Sequence, residues 1–132
     1  MTQESITFET TTSLSFEEAV ARCRESLMQE GFGVLTEIDV RATLKKKLDV
    51  DREPFLILGA CHPPSAHRAL AVAPEAGVLL PCNVTVSVEE GQTVVRAMNP
   101  VAVMGLLARP ELAEIGGEVG GALRRVIDSA RA

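Results

Sequence analysis

The sequence predicts a single α+β domain over residues 1–132, in which a mostly antiparallel sheet of about five strands packs against helices. Val84, Val86 and Val88 alternate with polar residues, which is typical of a strand with one buried face in an antiparallel sheet. A short polar turn at 89–92 joins this strand to a second apolar one and predicts a hairpin. Apolar residues three or four positions apart in other segments predict the helices.

The chain begins with a Thr-rich segment that predicts a first strand over 5–14. A helix over 15–30 follows, because Ser15 and Glu18 have the spacing of a capping box. Cys23 lies on the apolar stripe of this helix, so we expect it to be a small buried side chain without a chemical role.

Gly31 is predicted to end that helix, and an apolar segment over 32–38 predicts the second strand. Asp39 then precedes a short helix over 40–48. Its carboxylate is well placed to accept hydrogen bonds from the free amides at the start of that helix. We therefore interpret Asp39 mainly as a helix cap, with an acid/base role as the alternative.

The remaining elements follow from the same kinds of signal. We predict strands over 54–61, 78–88 and 93–98, and helices over 64–73, 100–108 and 111–130. Pro81 is expected to interrupt the long strand, and Pro110 to stop the helix before it. The glycine pairs at 116–117 and 120–121 allow another helix or backbone to approach closely, so this last helix is a candidate for a partner surface.

Composition excludes several classes of function. The chain has 13 basic and 18 acidic residues, a formal charge of −5, and no basic patch beyond Lys45-Lys46-Lys47. That short run is interpreted as a solvated helix face, and a nucleic-acid interface is not expected. With no Trp, no Tyr and four Phe, the chain also lacks stacking platforms for single-stranded nucleic acid.

The lack of a recognisable targeting signal predicts a cytoplasmic protein. The first residues lack the basic start and apolar run of a secretory leader, and no apolar stretch approaches the ~18 residues that would cross a membrane. The three cysteines are an odd number, so we expect free thiols in a reducing compartment and not a disulfide framework.

Two cysteine segments form the candidate site. Cys61 ends a predicted buried strand just before a helix, where the positive end of the helix dipole favours a thiolate. Cys82 joins it if their strands are neighbours, and His62 offers an imidazole. These three side chains are candidate ligands for a soft metal such as zinc, copper or iron. The same residues also fit a redox or nucleophilic cysteine, or two thiols that only pack.

No other catalytic motif is evident. The chain has no phosphate-binding glycine loop, no nucleophile elbow and no paired-histidine zinc motif. Glu37 and Asp39 are two residues apart and form a candidate carboxylate pair only if one of them is buried.

Several segments between Gly31 and Pro100 resemble the domain of unknown function 302 family. They are the run 31–40, the helix around 44–48, the cysteine segments 58–64 and 80–84, and the closing Asn99-Pro100. The resemblance implies a small α+β domain, often a homodimer in bacteria and archaea, and it supplies no established reaction. The characteristic positions of the family pattern correspond here to Glu37, Asp39, Lys47, Cys61, Pro63, Pro81, Cys82 and Asn83.

The family pattern often has Asn where this chain has His62, which weakens a metal scheme that depends on that imidazole. Three hypotheses remain. The first is a homodimeric binding module whose ligand or soft metal occupies a pocket at Cys61 and Cys82, with no nucleic-acid or membrane partner. The second is a thiol enzyme in which Cys61 acts and Cys82 resolves, and the third is a structural or interaction protein. The ligand-binding candidates are Glu37, Asp39, Lys47, Cys61, His62, Cys82 and Asn83.

Overall fold

The fold is taken from a computed structural model, which describes residues 5–131. The expectation that no secretory leader is present rests partly on residues 1–4, which lie outside the described part of the chain. The strands are β1 (Thr7–Thr12), β2 (Gly33–Asp39), β3 (Phe55–Cys61), β4 (Cys82–Glu89) and β5 (Gln92–Met98). The α-helices are α1 (Phe16–Gln29), α2 (Val40–Leu48), α3 (Pro63–Val72), α4 (Pro100–Met104) and α5 (Pro110–Ser129).

All five strands form one antiparallel sheet in the order β1-β5-β4-β3-β2. The α+β prediction is therefore confirmed. The hairpin of β4 and β5 lies at the centre, and β1 joins it from the start of the chain. β2 forms the other edge, and a bulge between Val34 and Thr36 interrupts its pairing with β3.

The two long helices lie across one face of this sheet. α1 contacts β2, β4 and β5, while α5 contacts β1 and β5. The strand residues on that face are fully buried, as Leu58 and Val84 are where β3 and β4 pair. We call the opposite face the open face. Its apolar side chains are Ile38, which is exposed, Phe55, Ile57 and Met98, which are partly buried, and Val94, which is buried; Asn83, Thr85 and Arg96 lie among them.

The predicted helix signals at the start of the chain are confirmed. Ser15 and Glu18 form both hydrogen bonds of the capping box, each at 3.1 Å. Cys23 is completely buried in the core, and Gly31 has a φ of 84° just after α1. That φ is a conformation that side chains with a Cβ rarely adopt.

Two boundary predictions are wrong. The expected long strand from residue 78 starts only at Cys82, because Pro74–Leu79 forms a 3-10 helix and the Leu80–Pro81 peptide bond is cis. The helix predicted over 100–108 is α-helical only to Met104, and a 3-10 helix from Gly105 to Leu107 follows it. Pro110, which was expected to stop this helix, is the first residue of α5. A proline costs little in the first helical turn, where the amide has no partner within the helix.

Two of the four glycines of α5, Gly116 and Gly120, make a close contact within the chain. A Cβ on Gly116 would lie 3.0 Å from the Pro100 carbonyl oxygen, and one on Gly120 would lie 3.6 Å from the Pro100 ring. The close approach predicted for this helix is therefore made by the start of α4. Since α4 packs on α5 here, both helices are held against the end of the sheet where the cysteines lie.

Candidate functional site

The two cysteines meet at one end of the sheet, where β3 ends and β4 begins. The register pairs Ala60 with Cys82, so Cys61 is offset from Cys82 by one residue. β3 runs directly into α3, with His62 as the residue that precedes its first turn. Two features of the chain thus fix the site: the pairing of β3 with β4, and the strand-to-helix junction after Cys61.

Cys61 and Cys82 both border a small cavity of about 30 Å³, which we call the inner chamber. Its walls come from β3, β4, α3, α4 and α5, so half of the ten strands and α-helices contribute to it. The lining is mainly apolar; it consists of Ala60, Cys61, His62, Ser65, Ala66, Ala69, Leu80, Cys82, Pro100, Met104, Ile115, Gly116 and Val119.

His62 provides the polar edge of the inner chamber. Its Nδ1 lies 2.8 Å from the Oγ of Ser65, which is itself buried. The imidazole ring lies 5.4 Å from the ring of Phe32, and a Cβ on Gly31 would come within 3.3 Å of its Nε2. The glycine at this position therefore leaves room for the ring, and the ring orientation is set by contacts on two sides.

A second depression, which we call the outer chamber, adjoins the first at His62. It has a volume of about 210 Å³. Three residues line both chambers; they are His62, Ser65 and Val119. The remaining lining of the outer chamber is mostly charged or aromatic, and comprises Glu30, Phe32, Glu118, Ala122 and Arg125.

Burial controls the chemistry of two of the three thiols. Desolvation, with a smaller contribution from the nearby Cys61, raises the pKa of Cys82 to about 11. Burial likewise raises the pKa of Cys23 to about 11, against a small opposing effect of Arg22. Both thiols are therefore neutral near neutral pH, whereas Cys61 is only partly buried. All three cysteines are free.

These differences predict selective labelling of the folded protein. We expect iodoacetamide near neutral pH to modify Cys61 and to leave Cys23 and Cys82 unmodified, because a buried neutral thiol is a poor nucleophile. Peptide mass spectrometry gives the labelled positions, and the Cys61→Ser variant should remain unlabelled until it is denatured. Labelling of Cys82 in the folded protein, or none at Cys61, would contradict the assignment.

The other predicted site residues lie elsewhere. Glu37 pairs with Arg24 of α1 at 2.7 Å, and Asp39 caps α2 by accepting a hydrogen bond from the Ala42 amide at 2.8 Å. Lys47 is exposed on α2. Glu37 and Asp39 border a groove beside α1, and neither is buried. The geometry thus favours the cap interpretation of Asp39 over the carboxylate pair.

Asn83 is also separated from the cysteines. It is exposed and opposite Gly59, which places it on the open face by the alternation of side chains along β4. There it borders a groove with Thr85 and Arg96. Arg96 is held by Glu89, whose pKa it lowers to about 2 together with a hydrogen bond from Ser87. The seven candidate residues therefore do not form one site.

Several residues that sequence reasoning missed come from α4 and α5. Met104, Ile115 and Val119 carry no local chemical signal, and only the glycine spacing at 116 and 120 indicated a close approach in this region. Within residues 5–131, no three His, Cys, Asp or Glu side chains are grouped closely enough to hold a metal ion. The soft-metal variant of the site therefore lacks a ligand set.

The chain is similar to a family of known proteins along nearly its whole length. The family model for the Domain of unknown function DUF302 matches residues 8–130, which is nearly the whole chain. The chain belongs to this family. It is also similar to a solved structure described as the crystal structure of an uncharacterized conserved protein DUF302 from Bacillus stearothermophilus. The two are 32% identical with a TM-score of 0.91, over 97% of this chain and 100% of that one.

The DUF302 match is longer than the sequence resemblance, which covered about half of the chain. The additional match includes β1, α1, α4 and α5, so the whole match contains all five elements that build the inner chamber. No curated protein is significantly similar to the chain. Among the helices described by the structure, none has both the length and the apolar character needed to cross a membrane.

Proposed function

We propose that this DUF302 protein is a small-molecule binding module that acts as a homodimer, and that its ligand places a short apolar group in the inner chamber. The observation that carries the proposal is the inner chamber itself, since five elements converge on it and its lining is mainly apolar. A cavity of this kind needs about 10–15 Å³ to admit one water molecule. The chamber, at about 30 Å³, is two to three times that size and has room for a short apolar group of about two or three carbon atoms.

The lining favours an apolar occupant over water. A buried water is stable when it makes about three hydrogen bonds to polar groups. In the inner chamber the polar side-chain atoms are confined to the edge formed by His62 and Ser65, and these two already bond to each other. An apolar group with a polar atom at that edge would match the lining, as ligand sites usually combine apolar walls with a few polar contacts.

Isobutanol is a suitable first probe because it is small, branched and neutral. We expect it to shift the amide NMR signals of inner-chamber residues, with weak and saturable binding. The Ala66→Val variant adds two methyl groups to the chamber wall and should abolish those shifts. The Ala71→Val variant makes the same change on the exposed side of α3 and should bind isobutanol as the wild-type protein does.

The outcome of this titration separates the hypotheses. If isobutanol produces no shifts at the chamber in the folded wild-type protein, or if Ala66→Val binds as well as Ala71→Val, the binding proposal is wrong. The protein would then be better described as a structural domain whose thiols only pack.

A thiol enzyme is the second candidate, and one observation favours it. Cys61 is partly exposed and lies two residues before the first turn of α3, at the positive end of that helix dipole. Cys82 is less suited to a resolving role, because its raised pKa keeps it in the thiol form. The labelling experiment above tests whether Cys61 is reactive. Free thiols also fit the reducing cytoplasm, where we place the protein.

The homodimer is proposed to form through the open face of the sheet. Apolar side chains there are partly exposed although the sheet is central to the fold, and Ile38 retains 47% of its accessible surface. Edge pairing through β2 is less suitable, because the bulge after Val34 disturbs the row of backbone groups that a second strand would need. Packing of two open faces, as in a β-sandwich, avoids this irregular edge.

A further inference from the structure

The two chambers have complementary chemistry. The inner chamber is mainly apolar, the outer chamber carries charges of both signs, and His62, Ser65 and Val119 line both. A molecule that occupies both would need a short apolar end and a polar head. The charged groups of the outer chamber determine which charges this polar head should carry.

Arg125 provides the cationic contact. Its Nε and Nη2 donate to the Glu30 carboxylate at distances from 2.8 to 3.0 Å. Its Nη1 has no hydrogen-bond partner among residues 5–131. Because Glu30 fixes two nitrogens of the guanidinium, the third is held in place and remains available to an anionic atom of a ligand.

Glu118 provides the anionic contact. Its Oε2 accepts a hydrogen bond from Nη1 of Arg68 at 2.7 Å, and its Oε1 has no partner in the described part of the chain. His62 forms a hydrogen bond with Ser65 through Nδ1, and its Nε2 has no hydrogen-bond partner among residues 5–131. The outer chamber thus combines a further donor on the guanidinium that pairs with Glu30, a further acceptor on the carboxylate that pairs with Arg68, and an imidazole nitrogen.

We propose that the ligand of the two chambers is a small zwitterion of the α-amino-acid type with a short, branched apolar side chain. This inference rests on the proposed function, since it needs the inner chamber to accept an apolar group. The carboxylate of the ligand bonds to Arg125, its ammonium group to Glu118, and its side chain enters the inner chamber. A head with one charge would make only one of these two contacts.

Four probes of the same shape separate these contributions. L-valine carries both charges, isovalerate lacks the amine, isobutylamine lacks the carboxylate, and isobutanol is neutral. We expect L-valine to bind at least about tenfold more tightly than any of the others, as two added charge-assisted hydrogen bonds would give even after partial screening. NMR titration of the full chain at fixed ionic strength gives the four dissociation constants.

Two exposed substitutions assign the contacts. Arg125→Gln should weaken binding of L-valine and isovalerate and leave isobutylamine unchanged. Glu118→Gln should weaken binding of L-valine and isobutylamine and leave isovalerate unchanged. Arg124→Gln is the control, because Arg124 lies over the ring of Phe8 at 4.4 Å and outside both chambers.

The results distinguish this inference from the proposed function. If isobutanol binds the inner chamber and L-valine binds no more tightly, the binding module stands and the zwitterion is wrong. If L-valine binds tightly but neither outer-chamber variant changes its affinity, the assigned contacts are wrong and the inference fails. If none of the four probes shifts the inner-chamber signals, both proposals fail together.

Discussion

Replacing Gly59 by alanine should lower the free energy of unfolding by about 3 kcal/mol, at the upper end of the usual cost of overpacking. A Cβ at this position would lie 2.1 Å from Oγ1 of Thr36 and 2.9 Å from Cγ of Pro81. Gly59 is in β3, with β2 on one side and β4 on the other. The strand therefore has little freedom to move away from the clash.

The Thr36→Ala substitution offers a rescue. Thr36 is exposed, so its loss alone should change stability little. Combined with Gly59→Ala it removes the closer contact and leaves the one with Pro81, so the double variant should recover about half of the lost stability. This non-additivity is expected for residues in direct contact.

Chemical denaturation of the four proteins in this cycle measures both effects. Gly33→Ala is the matched control, because no atom lies within 4 Å of a Cβ at that position. It should be neutral or slightly stabilising, since alanine restricts the unfolded chain more than glycine. Equal stability of Gly59→Ala and Gly33→Ala would contradict the close packing of the Thr36 and Pro81 side chains against Gly59.

The elements of the fold could be predicted because their signals are local. The capping box at Ser15, the cap at Asp39 and the alternating valines of β4 each act within one element, and each is confirmed. The boundary of β4 was missed because it depends on the chain before it. Residues from Val78 are apolar enough for a strand, but a 3-10 helix and the geometry at Pro81 delay its start to Cys82.

The candidate site could be predicted only in part. Cys61, His62 and Cys82 border one chamber because strand pairing brings together residues about twenty positions apart. Asn83 was separated from Cys82 because neighbouring residues on a strand face opposite sides of the sheet. The contributions of α5, Val119 and Arg125 among them, depend on tertiary packing, which no local pattern records.

The chain is expected to form a homodimer in solution. If the open faces pack together, the wild-type chain of 14.1 kDa should have twice that mass in solution, about 28 kDa, by light scattering or sedimentation. Five strands about 4.8 Å apart and six to eight residues long give a face of roughly 500 Å² in projection. The corrugated side-chain surface is larger than its projection, and it is of the same order as the ~800 Å² per partner of a stable interface.

Ile38→Asp should convert this dimer to a monomer. The substitution places a carboxylate in the apolar patch that Ile38 forms with Ile57 of the neighbouring strand, and a twofold axis places it in the interface twice, so we expect the dissociation constant to rise at least about a hundredfold. Ile38 is exposed within one chain, so the monomer should remain folded. Met28→Asp introduces the same charge on α1, which covers the opposite face, and should leave the dimer intact. A monomeric wild-type protein, or dissociation by Met28→Asp alone, would show that the open face is not the interface; the inner chamber, built within a single chain, would be unaffected by that result.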